Sequence, residues 1–193
     1  IVNNFVSGLI LLFERPIKVG DWIVTNSGEG IVKKISVRST EIERFDRSSI
    51  LVPNSELISS SVTNWTHKNR LGRVSVPIGV AYKEDPERIL EILAKAVENI
   101  DGALSFPEPQ VLFTGFGDSS LDFEMRFFIS DVFDAIKART AARVAIFKAF
   151  REGGVEIPFP QRDVHVQFAA GDLEAAISKK SNPELFFVHV QVL

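Results

Sequence analysis

Large apolar residues crowd the first thirteen positions, IVNNFVSGLILLF, and then thin into short alternating runs. On a helical wheel this opening draws two apolar stripes: Ile1, Phe5, Leu9, Leu12 and Val2, Val6, Ile10, Phe13. A helix apolar on both stripes belongs in protein or in lipid, but this one falls short of the ~20 residues a bilayer crossing needs. Glu14-Arg15-Pro16 ends it, because proline disfavours helix at the residue before it. The pattern alone leaves two readings open, an N-terminal core helix or part of a membrane segment.

Residues 17–66 read as five short strands. Residues 21–26 are followed by the turn Ser27-Gly28-Glu29-Gly30, and residues 31–45 alternate imperfectly, with Ile35 and Val37 on one face. Asp46-Arg47-Ser48 makes another turn before residues 49–52; 53–60 predict one turn of helix, and 62–66 a last strand. Strands at this spacing predict a small barrel or half-open sandwich.

From residue 73 the period changes. Residues 73–80 predict a strand whose Pro77 demands an edge or a bulge. Asp85-Pro86-Glu87 is a helix start, with Asp as N-cap and Pro at the first helical position. The apolar face that follows is Ile89, Leu90, Leu93, Val97 and Ile100. Strands 110–116 and 121–129 flank Gly117-Asp118-Ser119-Ser120; a helix over 134–152 turns Ala138, Ala142, Ile146, Ala149 and Phe150 inward and closes at Gly153-Gly154. With a strand at 163–168 the order is β-α-β-β-α-β, that of a ferredoxin-like sandwich. Residues 169–193 hold a weak helical stretch, a break at Ser181-Asn182-Pro183, and an alternating end.

Composition narrows the function classes. A hydrophobic content of 45% over 193 residues is that of a globular chain, and the net charge of −3 gives no broad basic field for nucleic acid. The absence of cysteine excludes disulfides, thiolate catalysis and cysteine-based zinc sites. The chain opens in mid-run without the charged region and cleavage site of a signal peptide, so it reads as a piece of a longer protein.

Candidate chemistry is sparse. His67, His165 and His189 stand apart from one another and from any carboxylate cluster at ligand spacing. Gly115-Phe116-Gly117-Asp118-Ser119-Ser120 resembles a phosphate loop but lacks the final glycine and a Walker lysine, so it reads as a hairpin turn. Asp131 and Asp134 fit helix capping better than acid–base work. No residue supports an enzyme, a cofactor or a metal. One basic cluster, His67, Lys68, Arg70 and Arg73, lies where the two folded segments join. It reads either as a solvated linker or as a positive surface beside an aqueous path.

An ordered set of short motifs runs through the chain. Asn4, Gly8 and Arg15-Pro16 are followed by Gly20-Asp21, Gly30-x-Val32, Ser39-Thr40 and Val52-Pro53-Asn54. Then come Ile78-Gly79-Val80-Ala81-Tyr82 and Ile157-Pro158-Phe159-Pro160-Gln161-x-Asp163-Val164. Each piece is weak alone; in this order they resemble the small-conductance mechanosensitive (MscS) channel family. Phe45-Asp46-Arg47-Ser48-Ser49 and the 115–120 run look closer to its larger, multi-helix members.

The resemblance implies an α+β fold: an N-terminal pore-helix stub (1–16), a small all-β, Sm-like barrel domain (17–66) and a ferredoxin-like α/β sandwich (67–168). The tail, 169–193, is given no role by it. It implies a homoheptamer in the cell (inner) membrane, multi-pass, with this part on the cytoplasmic side as a hollow cage with side portals. Strands near 163–168 would close the cage bottom, and the pore constriction would lie upstream of Ile1. The implied activity is release of ions and small osmolytes under membrane tension. The implied partners are other copies of the chain, the bilayer through helices outside it, and permeating ions, with no nucleic acid and no cofactor.

By the same resemblance Gly8 matches a hinge glycine of the pore helix, where absence of Cβ makes a bend cheap. Asn4 and Asn54 match two asparagines that approach each other in non-conducting states, a reversible amide latch. Ser55 stands where the smallest member has glycine, which puts a close helix approach in question. His67, Lys68, Arg70 and Arg73 are the candidates for a portal lining. Two alternatives carry the same small barrel: an Sm-like RNA-binding ring and a non-conducting scaffold paralogue.

Overall fold

The computed structural model describes residues 2–162. Residues Ile1–Phe159 make one compact unit with two hydrophobic cores.

Helix α1 (Val2–Glu14) is continuous. It ends as its sequence demands: the Arg15 N–H still bonds the Leu11 carbonyl at 3.2 Å, but Arg15 itself turns left-handed (φ 49°) ahead of Pro16. Only Ser7, Gly8 and Leu11 of this helix are buried, whereas Val2, Phe5, Val6, Leu9, Leu12 and Phe13 are exposed. The double apolar stripe therefore keeps one narrow contact line within the chain.

Five antiparallel strands follow: β1 (Trp22–Thr25), β2 (Gly28–Ile35), β3 (Ser39–Glu43), β4 (Ser49–Pro53) and β5 (Thr63–Asn64), ordered β4-β3-β2-β1-β5. The expected 31–45 alternation is two strands, parted by the turn at 36–38. The first hairpin turn is also tighter than expected, since Gly28 already pairs with Thr25. Each of the first four strands sends an apolar side chain inward: Ile23, Val32, Ile42 and Val52 are all fully buried. Ile17 and Leu57 close that core, Leu57 from the short helix α2 (Asn54–Ser59). Leu11 of α1 joins it too, at 1% exposure. Burying such a side chain stabilises by about 1.5–3 kcal/mol, so α1 is part of this core and not an appendage.

The second core is built on β6 (Gly72–Val80), β8 (Leu121–Ile129) and β7 (Gln110–Phe116), in that order across the sheet. β8 alternates strictly, burying Leu121, Phe123, Met125, Phe127 and Ile129 on one face. Helices α3 (Pro86–Glu98) and α4 (Ala135–Gly153) cover that face with Ile89, Leu93, Ala142, Ile146 and Phe150. Asp85 caps α3 as expected, accepting from the Glu87 N–H at 3.1 Å. Gly154 ends α4 at φ 64°, a conformation a Cβ would strain. Pro77 lies on an edge strand in unbroken register with β8, so it marks an edge and not a bulge. Ala149 is only partly buried. The order β-α-β-β-α agrees with the ferredoxin-like expectation; the strand expected at 163–168 lies outside the described residues.

Candidate functional site: the seat of the first helix

Asn54 is fully buried, and its N–H and both ends of its side-chain amide have partners. Its N–H donates to the Arg38 carbonyl (3.0 Å), its Nδ2 to the Ser36 carbonyl (2.9 Å), and its Oδ1 accepts from Thr40 Oγ1 (2.9 Å). Thr40 is fully buried as well. A buried amide left unpaired costs about 1–3 kcal/mol, so this network fixes the 36–38 turn against the start of α2.

Helix α1 sits on that turn. A Cβ built on Gly8 would stand 2.4 Å from the Val37 carbonyl oxygen and 2.7 Å from Asn54 Nδ2. Both are closer than real Cβ contacts allow, so only glycine permits this approach. One turn earlier, Asn4 Oδ1 accepts the Ser55 N–H at 3.0 Å. Helix α2 needs that acceptor: its own cap position is Pro53, which makes no side-chain capping bond. Asn4 thus caps α2 from a neighbouring helix.

The structure brings Gly8, Asn4 and Asn54 together, but not as an amide pair. Both ends of the Asn54 amide are already used within the sheet, and Asn4 bonds the next residue's backbone. Ser55 does not bar the approach, because its N–H makes the contact. Gly8 lies mid-helix in an unbroken α1, where it serves close contact. Sequence reasoning missed Thr40, Ser36 and Val37 as parts of this seat. The small pair Ser7-Gly8 inside an apolar run was the available signal, since small residues mark close helix approach.

The basic cluster divides. His67 and Lys68 are exposed between β5 and β6. Arg70 pairs with Asp131 at 3.0 Å and lies over the Phe133 ring, 5.3 Å from its centroid. Phe133 stacks on Trp22 of β1 at 5.4 Å, so Arg70 helps join the two sheets' neighbourhoods. Asp131 also accepts the Phe133 N–H at 3.0 Å, the capping role expected of it, whereas Asp134 makes no side-chain capping bond. Arg73 is exposed on β6 and helps hold the Glu124 carboxyl low, the larger cause being the hydrogen bond from Arg126.

The displaced titrations are surface pairings. Glu156 raises Lys83 through a hydrogen bond, Ser48 lowers Asp46, and Glu124 raises Arg126. None is a group desolvated in a cleft, as acid–base chemistry would require. Among the described residues no group of His, Asp or Glu could hold a metal ion, and no helix is long and apolar enough to cross a membrane.

Two family models match in chain order: the mechanosensitive ion channel beta-domain over residues 1–67, and the MscS C-terminal domain over residues 74–157. The mechanosensitive channel MscK of Escherichia coli is 37% identical over 172 residues, 89% of this chain but 15% of that protein. The small-conductance mechanosensitive channel MscMJ of Methanocaldococcus jannaschii is 34% identical over 171 residues, 86% of this chain and 48% of that one. The chain therefore spans from about a seventh to about half of these relatives. The fold is also that of Helicobacter pylori MscS in a closed state, at a TM-score of 0.81 and 24% identity, covering 87% of this chain and 66% of that one. These relatives are described as channels; the RNA-binding ring finds no support among them.

Proposed function

This chain belongs to the mechanosensitive ion channel family of the MscS type, and from that premise we propose that it is the cytoplasmic part of a tension-gated channel. The whole protein passes ions and small osmolytes across the cell membrane when tension rises. Membrane helices outside this chain sense tension and form the pore, and copies of this chain assemble as a heptamer into a cage below it. The chain contributes no catalysis and holds no cofactor.

The seat of α1 is the observation that carries the mechanism. A helix held by one close glycine contact, one side-chain cap and one core leucine can leave its seat without unfolding the sheet. The bond is worth about 0.5–1.5 kcal/mol and the leucine about 1.5–3. Docked and released helix are then two populations, and tension shifts the balance between them. In this reading Gly8 is the contact on which α1 rocks, Asn4 the detachable cap, and Asn54 the fixed part of the seat. His67, Lys68 and Arg73 face the aqueous path of the portals, while Arg70 serves the junction.

Patch recordings test it. Asn4→Ala should change the rate of inactivation and recovery while leaving unitary conductance intact. Unchanged adaptation in Asn4→Ala and in Asn54→Ala would overturn the seat as a gating element, and a monomeric whole protein in detergent would overturn the cage.

A further inference from the structure

The two helices of the second core carry opposite charge on opposite edges. The strand order β6-β8-β7 puts α4 over β6 and α3 over β7. Each helix therefore turns one side to the other helix and one side to the rim of the layer.

The rim side of α3 is acidic. Glu87, Glu91, Ala94 and Glu98 stand in one row at helical spacing, all exposed. Between this row and β7 runs a groove of about 390 Å³, with Leu90, Ala94, Val97 and Val111 as its floor and Glu98 and Glu108 at its edge. No cation lines it. The cations of α3 face the other way: Arg88 bonds the Gly153 carbonyl at the end of α4, and Lys95 lines the cleft between the helices.

The rim side of α4 is basic. Ile136, Thr140, Arg143, Phe147 and Arg151 form one row, all exposed, Ile136 at 73% and Phe147 at 51%. Ala138, Ala142, Ile146 and Phe150 point to the sheet, and Ala141, Ala145, Lys148 and Glu152 line the cleft toward α3. The row faces away from both. Among the described residues, neither row makes an ion pair within the chain.

We propose that the rim of α4 in one copy docks on the rim of α3 in the next. Phe147 enters the groove between Leu90 and Val111, and Arg143 and Arg151 lie among Glu91, Glu98 and Glu108. A large apolar side chain between unpaired arginines matches, in shape and sign, an apolar groove edged by unpaired glutamates. Charge at such a rim sets orientation, while the buried aromatic supplies most of the adhesion. One chain cannot join its own two rows, because they lie at opposite edges of its layer. The contact is therefore head-to-tail, the kind that repeats around a ring, and not two-fold. It rests on the reading that copies of this chain assemble, and adds which faces meet.

Cross-linking of the whole protein in its membranes tests it. Ala94→Cys with Thr140→Cys leaves every charge in place, and this chain has no cysteine of its own. Bridged by a short bismaleimide, that protein should run as linked chains up to the full ring, and either change alone should link no more than the unmodified protein. In the same background Glu91→Lys with Glu98→Lys should slow linking about tenfold or more, since two rim attractions become repulsions. Adding Arg143→Glu with Arg151→Glu should restore it, because both rims are then reversed. Phe147→Ala should slow linking a few-fold. An assembled ring that does not link, a reversal without effect or without rescue, or full linking in Phe147→Ala would overturn the contact and leave the assembly of copies standing. So would linking of either single-cysteine protein, to itself or to a different protein. A whole protein that is monomeric would overturn both.

Discussion

Replacing Gly8 by alanine should unseat α1 while making the helix itself more stable. The added carbon would stand 2.4 Å from the Val37 carbonyl oxygen and 2.7 Å from Asn54 Nδ2, both under the 3.0 Å floor of real contacts. Neither neighbour can give way cheaply. Val37 is backbone, and the Asn54 amide is held by Thr40 and Ser36. The helix must move, which removes the Asn4–Ser55 bond (about 0.5–1.5 kcal/mol) and uncovers Leu11 (about 1.5–3). Together these amount to roughly 2–4.5 kcal/mol, or about 30- to 2,000-fold in the docking equilibrium. Within the helix alanine is better than glycine by about 1 kcal/mol, so released α1 gains order as it loses its seat. Amide hydrogen exchange separates the two effects. The Ser55 amide should lose protection about 30-fold or more, while helicity by circular dichroism holds or rises. Asn3→Ala, on the exposed side of α1, raises helix propensity by at most about 0.7 kcal/mol without the clash and should leave Ser55 protected. Wild-type protection at Ser55 in Gly8→Ala would refute the close-contact argument.

Thr40→Val removes the donor to Asn54 Oδ1 at constant shape and should cost about 1–3 kcal/mol in denaturant unfolding, with Thr40→Ser recovering most of it. The Arg70–Asp131 pair is partly exposed, so a double-mutant cycle of Arg70→Ala with Asp131→Asn should give a coupling of at most about 1 kcal/mol, fading in salt. Glu124 has its carboxyl held below the ordinary value, first by the Arg126 hydrogen bond. Its contribution to stability is therefore present above the ordinary carboxylate pKa of about 4.3 and is lost as pH falls through the lower folded value. Glu124→Gln should flatten that acid limb of the stability-versus-pH curve and leave the curve near pH 9 parallel to wild type.

Where local rules act alone, the sequence foretold the structure closely. Asp85-Pro86 starts α3, Gly153-Gly154 ends α4, and Pro77 marks an edge, each for a reason confined to a few residues. The strict alternation of β8 likewise needs only its own period. The 31–45 run was harder, because a two-strand hairpin with a bulge and an imperfect single strand have similar patterns. The seat shows a different limit. Motif resemblance pointed to Asn4, Gly8 and Asn54, but which atom each one meets depends on how α1 packs across about fifty residues of chain. An Asn–Asn pair and an Asn cap on the neighbouring N–H look alike in sequence. Arg70 reads as one of four linker cations until Asp131 and Phe133, sixty residues on, are brought beside it.

Leu11 belongs by sequence to the helix and by contact to the sheet. Recombination between related channels should therefore not be free to cut at Pro16, the boundary the chain advertises. A chimaera that joins a foreign helix to this sheet must bring a matching leucine and a matching glycine three residues before it, or leave a hole in the core it enters. Helix and sheet are inherited as a pair.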